Sequence, residues 1–126
     1  MEYPERLHHK TPEWVQSGAM FHVRIRMAEV FGSNFRESAQ AQALLSAARN
    51  YHEAAKWWCH LFLLMPDHMH AMLVFPSQSS MSVVIRNWKR ATARLHGVQW
   101  QDNYFDHRIR NDDESAKTWA YIRRIQ

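Results

Sequence analysis

Two histidines one residue apart, His68 and His70, stand in the most apolar part of the chain, between Leu61–Met65 and Ala71–Phe75. In a strand, side chains alternate between faces, so the two imidazoles share one face and Met69 turns to the core. Imidazole is a frequent ligand of divalent metals, and two of them on one rigid strand make half of a metal site. The plainer account is a pair of polar residues on a wet face. The setting favours the metal, because exposed polarity is least expected in the most hydrophobic segment.

Met65-Pro66-Asp67-His68-Met69-His70, with the apolar strand after it, resembles the histidine-hydrophobe-histidine motif of the HUH single-strand nucleases. Trp100–Arg110 and Tyr121-Ile122-Arg123-Arg124 extend the likeness. Taken in order, from about Phe21 to the C-terminus, the three segments resemble the IS200-like single-tyrosine transposases, most of all the REP-associated tyrosine transposases. The resemblance implies an enzyme that breaks and rejoins single-stranded or hairpin DNA. A tyrosine hydroxyl attacks a backbone phosphate, leaving a 5′-phosphotyrosine and a free 3′-hydroxyl. Tyr121 is then the nucleophile, His68 and His70 hold the cation, and the cation is Mg2+ or Mn2+. Two imidazoles suit manganese better than magnesium.

The residue types fit that chemistry. A phenol ionises near pH 10 and is a weak nucleophile at neutral pH, so a cation must activate the phosphate instead. Without the resemblance, Tyr121 reads as a helix tyrosine that packs with its hydroxyl at the rim. Tyr104 competes with it, but its position in Asn103-Tyr104-Phe105 reads as sheet packing. Members of the family carry an amide or histidine one turn after the tyrosine, which completes the metal site. Here that position is Ile125, which cannot bind a cation, and Gln126, about 100° further round the helix, is the remaining third ligand. The sequence stops before the Asn-Pro segment and basic tail typical of the family. These departures bear on metal completion and cleavage more than on the fold. Asp106 is a candidate to orient a neighbouring histidine or arginine. Asp67 could do the same beside His68, although a turn-stabilising role is the plainer reading.

The elements that must position these groups follow from periodicity. Residues 1–19, with two prolines, His8, His9 and a Ser17-Gly18 turn, read as an irregular arm. Phe21–Met27 alternates as a half-buried strand, with His22, Arg24 and Arg26 on one face as solvated residues or phosphate contacts. A helix is expected from about Phe35, capped by Ser33 or Asn34, to Ala55, with Leu44, Leu45, Ala48 and Tyr51 inward. Trp57–Met65 and His68–Phe75 form a hairpin turning at Pro66 and Asp67, and His60 is structural. A second helix, Met81–His96, is capped by Ser80 or Ser82 and stopped by Gly97. Val84, Ile85, Trp88, Ala91, Thr92 and Leu95 face its core. Arg86, Lys89, Arg90 and Arg94 make a stripe without an acid, read as facing phosphates. Tyr104–Ile109 is the fourth strand, and Asp112-Asp113-Glu114 opens the last helix as its dipole favours. The fold class is α+β: a ferredoxin-like βαββαβ antiparallel sheet with helices on one face, plus a C-terminal helix carrying the tyrosine.

Composition sets the outer limits. A chain of 126 residues is one domain with room for a core, here a single HUH-type transposase-like domain. Hydrophobic residues make up 46% and charged residues 22%, which excludes a disordered chain. No apolar run spans a membrane, and the polar N-terminus is no signal peptide. The single cysteine, Cys59, excludes an internal disulfide and a cysteine-rich zinc site. The expected location is cytoplasmic, associated with the nucleoid. A net charge of +4 permits a polyanion partner. Two other functions stay open: a nucleic-acid-binding module that no longer cleaves, and a metal-dependent protein unrelated to DNA. A monomer and a homodimer are both compatible with the sequence.

Overall fold

The computed structural model of the chain describes residues 11–28 and 38–124. The elements, in order, are α1 (Glu13–Ser17), β1 (Met20–Arg26), α2 (Ala39–Glu53), β2 (Trp58–Met65), β3 (His68–Val74), α3 (Met81–His96), β4 (Phe105–Ile109) and α4 (Asp112–Arg124). The strands form one antiparallel sheet in the order β2-β3-β1-β4. β1 and β3 are therefore central, and the two histidines of β3 lie beside the arginines of β1.

Helices cover both faces. α2 and α3 pack on the face formed by Val23, Ile25, Phe62, Leu64, Met69 and Leu73, where Trp57 and Trp88 are fully buried with ring centroids 4.9 Å apart. On the opposite face, α4 presses Ile122 and Trp119 onto Leu61, Leu63, Met72 and Ile109. An irregularity in β2 at His60 shifts the alternation by one residue, so Cys59 packs with Phe62 and Leu64 rather than with Leu61.

Several local expectations change. α2 begins at Ala39, where the Ser38 side chain accepts a hydrogen bond from the Ala41 amide. Ser33, Asn34 and Phe35 lie outside the described residues, as do His8 and His9. α3 keeps its expected limits, with Ser80 as cap and Gly97 at φ 69°. Leu95 of α3, expected on the core side, stands 71% exposed, although α2 reaches the same turn through Gln40, whose amide donates to the His96 carbonyl. The arm expected to be irregular carries α1, whose Val15 packs against Trp58 and Val74. Gly18 lets this helix sit close: a Cβ there would lie 2.5 Å from the Trp14 carbonyl oxygen and 2.7 Å from Val74 Cγ1. Gly18→Ala is expected to cost about 1–3 kcal/mol, the usual range for an overpacked contact. Urea unfolding of the variant checks this, and an unchanged midpoint would refute it.

Candidate active site

The site is built on the sheet face covered by α4. Antiparallel register sets Arg26 opposite His68, Arg24 opposite His70, and on the other side of β1, His107 opposite His22. Paired residues point to the same face, so a histidine cluster forms from three strands. His68 Nε2 lies 3.1 Å from His70 Nε2, and His70 Nδ1 lies 2.9 Å from His22 Nε2. At the other end, His68 Nδ1 is hydrogen-bonded to the Asp67 carboxylate. Asp67 therefore acts on the imidazole as well as in the turn, and that bond holds its carboxyl below the usual carboxylate range. Arg26 Nη1 stands 3.8 Å from the same carboxylate.

α4 brings in the phenol. Asn111 Oδ1 accepts from the Glu114 amide and caps the helix, while Glu114 Oε1 accepts from the Arg110 amide. Ile122 is fully buried against the sheet. Tyr121, one residue earlier and so about 100° round the helix, emerges at the rim and is 48% exposed. Its ring meets His70 edge-on, with centroids 6.4 Å apart. Together with His22, Arg24, Phe105, His107, Lys117 and Thr118, it lines a cleft of about 310 Å³. The Arg24 guanidinium lies 5.0 Å above the Phe105 ring. Lys117 Nζ is 3.1 Å from Asp113 in an exposed pair one turn apart, which contributes little to stability.

The two imidazoles of β3 fit a divalent cation. Adjacent ligands of an octahedral ion with bonds of about 2.1 Å are separated by about 3.0 Å, and the two ε nitrogens are 3.1 Å apart. Each ring's δ nitrogen is occupied by a partner, Asp67 or His22, so the ε nitrogens are the ones left to bind. Among the described residues no group of three or more His, Cys, Asp or Glu is arranged to hold a metal. Gln126, the expected third ligand, lies outside the described residues, as does Ile125.

The expected phosphate contacts divide between two surfaces. Arg24 and Arg26 share the histidine face. Arg86, Lys89, Arg90 and Arg94 belong to α3, which packs on the other face of the sheet. Lys89 is turned away from an open stripe: its ammonium donates to the Gln101 and Asp102 carbonyls, at 2.5 and 3.0 Å. It braces a loop, and partial burial lowers its pKa. His107 is held by Glu114 at 3.2 Å, not by Asp106, which pairs with Val23 and so points to the opposite face. Tyr104 precedes β4, partly buried against the α2–α3 core.

His22 is the residue that periodicity missed. It alternates with Arg24 and Arg26 and so reads as solvent-facing, yet it is 9% exposed. The packing of α4 and the pairing of β1 with β3 on one side and β4 on the other enclose it. Burial, then Arg24 and His107, push its pKa down from 6.5 to about 4. Burial, then neighbouring histidines and arginines, push His70 down to about 3. Both rings are thus neutral at pH 7, the form that binds metals. Both shifts are downward, so their contribution to stability is whole above pH 6.5 and is lost as the pH falls toward about 4 for His22 and about 3 for His70. Between pH 7 and pH 5 the metal-free protein is expected to lose about 3 kcal/mol and roughly 10 °C in thermal midpoint. Circular-dichroism melts at the two pH values in EDTA test this, and equal midpoints would refute it.

No family model matches the chain, and no curated protein matches it in sequence. Solved structures do match. The REP-associated tyrosine transposase bound to a REP hairpin aligns with a TM-score of 0.66 and 19% identity, over 80% of this chain. This chain covers 62% of that one. A candidate transposase from Deinococcus radiodurans R1 aligns with a TM-score of 0.63 and 18% identity, over 91% of this chain and 95% of that one. At these identities the shared property is the fold: the chain has the architecture of these two transposase structures, the one its three motifs implied.

Proposed function

We propose that this chain is a metal-dependent DNA strand transferase acting on single-stranded or hairpin DNA through a covalent tyrosyl phosphate. One observation carries the reading: a half-exposed phenol and a pair of converging imidazoles share one cleft-lined sheet face, Tyr121 and His70 being 6.4 Å apart between ring centroids. A hydroxyl that only packed would have no need of that neighbourhood. The transposase similar in fold is bound to a REP hairpin, which favours a hairpin-bearing strand as substrate here.

A magnesium or manganese ion held by His68 and His70 would polarise a phosphate oxygen and offset the charge that develops in transfer. The protein's own residues do the remainder. Arg24 and Arg26 bind phosphate oxygens on the histidine face. Lys117, one turn before Tyr121, adds positive charge beside the phenol. Tyr121 Oη bonds to phosphorus as the bond from phosphorus to the 3′ oxygen breaks. The phenol gives up its proton and the departing 3′ oxygen gains one, so the exchange is neutral overall. Ile122 holds the ring at the rim of the cleft, where a strand can reach it.

A hairpin-bearing oligonucleotide labelled at its 3′ end, incubated with the protein and Mn2+, is expected to give a labelled protein band on a denaturing gel, absent with EDTA. A second reading, binding without cleavage, is favoured by the two-imidazole site among the described residues. Salt-sensitive binding with no adduct would select it. Neither adduct nor binding would refute both.

A further inference from the structure

We propose that His22 is a positioning residue for the metal ligand His70: its Nε2 accepts the Nδ1 proton of His70 and so aims the His70 Nε2 at the cation. The inference rests on the reading that His68 and His70 bind a divalent metal. Its own support is geometric. His22 Nε2 lies 2.9 Å from His70 Nδ1, and the two rings lie edge to edge, 5.2 Å between centroids and with only 25° between their planes, as an in-plane hydrogen bond requires. A ring held in the plane of its hydrogen bond cannot swing without breaking it. The Phe105 ring packs edge-on against His22 from the other side, at 5.7 Å, and keeps it from leaving.

The two ligands then have matching supports. A metal-binding imidazole must present an unprotonated nitrogen, and a partner that accepts from the N–H of its other nitrogen selects that tautomer. The Asp67 carboxylate accepts from His68 Nδ1–H, and in the proposed tautomer His22 Nε2 accepts from His70 Nδ1–H. This pattern leaves two ε lone pairs facing each other at 3.1 Å. Two bare lone pairs at that distance repel, and a shared cation removes the repulsion. The support for His68 comes from its sequence neighbour. The support for His70 comes from 48 residues away, across the β1–β3 pairing.

The test uses the full chain without DNA. Mn2+ binding is read from the free-ion electron paramagnetic resonance signal in the parent, His68→Ala, His22→Phe and His22→Gln, with thermal melts confirming that each is folded. The parent is expected to bind and His68→Ala to fail. His22→Phe keeps the ring but has no acceptor, and should bind 10- to 100-fold more weakly, on the order seen when outer partners of ligands are removed. His22→Gln puts an amide oxygen about as far from the backbone as the imidazole ε nitrogen, and should recover most of the loss. Nitrogen-15 NMR of the imidazoles should report His70 protonated on Nδ1 in the parent and a mixture of tautomers in His22→Phe. If the parent binds, His68→Ala does not, and His22→Phe matches the parent, this inference falls while the metal site stands. If His22→Gln drops as far as His22→Phe, the acceptor is not what matters, and the inference falls as well. If the parent does not bind Mn2+, the metal reading fails and takes this proposal with it.

Discussion

Tyr121→Phe is expected to abolish the covalent protein–DNA adduct, by about 1,000-fold or more since no other nucleophile replaces it, while hairpin binding stays within about twofold. The substitution removes one oxygen and little else. The Tyr121 side chain sits at the rim, 48% exposed, and its neighbour Ile122 supplies the buried contact of that turn. The phenylalanine ring can keep the edge-on contact with His70, so stability should change by less than about 0.5 kcal/mol. The arginines that would hold the phosphates are untouched. Binding and adduct formation therefore separate cleanly in this variant. An adduct formed by Tyr121→Phe at the parental rate would show that another residue attacks, Tyr104 being the first to examine.

His68→Ala is expected to lower the rate of adduct formation by about 100- to 10,000-fold, corresponding to the several kcal/mol that a bound cation supplies at a phosphoryl centre. Excess Mn2+ should restore part of it. His68 is the better position to test, because its side chain keeps 16% of its surface exposed while His70 is 2% exposed. Removing His70 would leave a cavity and strip His22 of its hydrogen-bond partner, so lost activity and lost stability would be mixed. His68→Ala strips Asp67 of a partner, but that carboxylate is 40% exposed and has Arg26 nearby. Kinetics with parental rate and parental Mn2+ dependence would refute the role of His68.

Much of the architecture was legible from periodicity. The alternation in Phe21–Met27 assigns the two faces of β1, and Val23 and Ile25 are fully buried as it requires. α3 carries both its start and its stop signal, a capping serine and a glycine with positive φ, and its limits match the expectation. The single hydrophobic residue between His68 and His70 sends both imidazoles to one face, because strand geometry allows nothing else. These are local properties, decided within a few residues of chain.

What lay beyond the sequence depends on which layer covers which face. A 3.6-residue period says that α4 has an apolar side but not that it settles over the histidines, opposite α2 and α3. That choice buries His22, which alternation alone assigns to solvent, and brings Tyr121 to His70. Lys89 belongs to a basic stripe on a helical wheel, yet two loop carbonyls twelve and thirteen residues later claim its ammonium. Leu95 sits on the apolar side of α3, yet its side chain is left 71% exposed. The chain by itself thus determined the four strands, the helices α2 to α4 and the shared face of two imidazoles, though not the short α1, because backbone geometry and burial preference act locally. Only the tertiary structure decided that a third imidazole and a phenol join them, because strand register and the docking of the last helix arise from contacts between residues tens of positions apart.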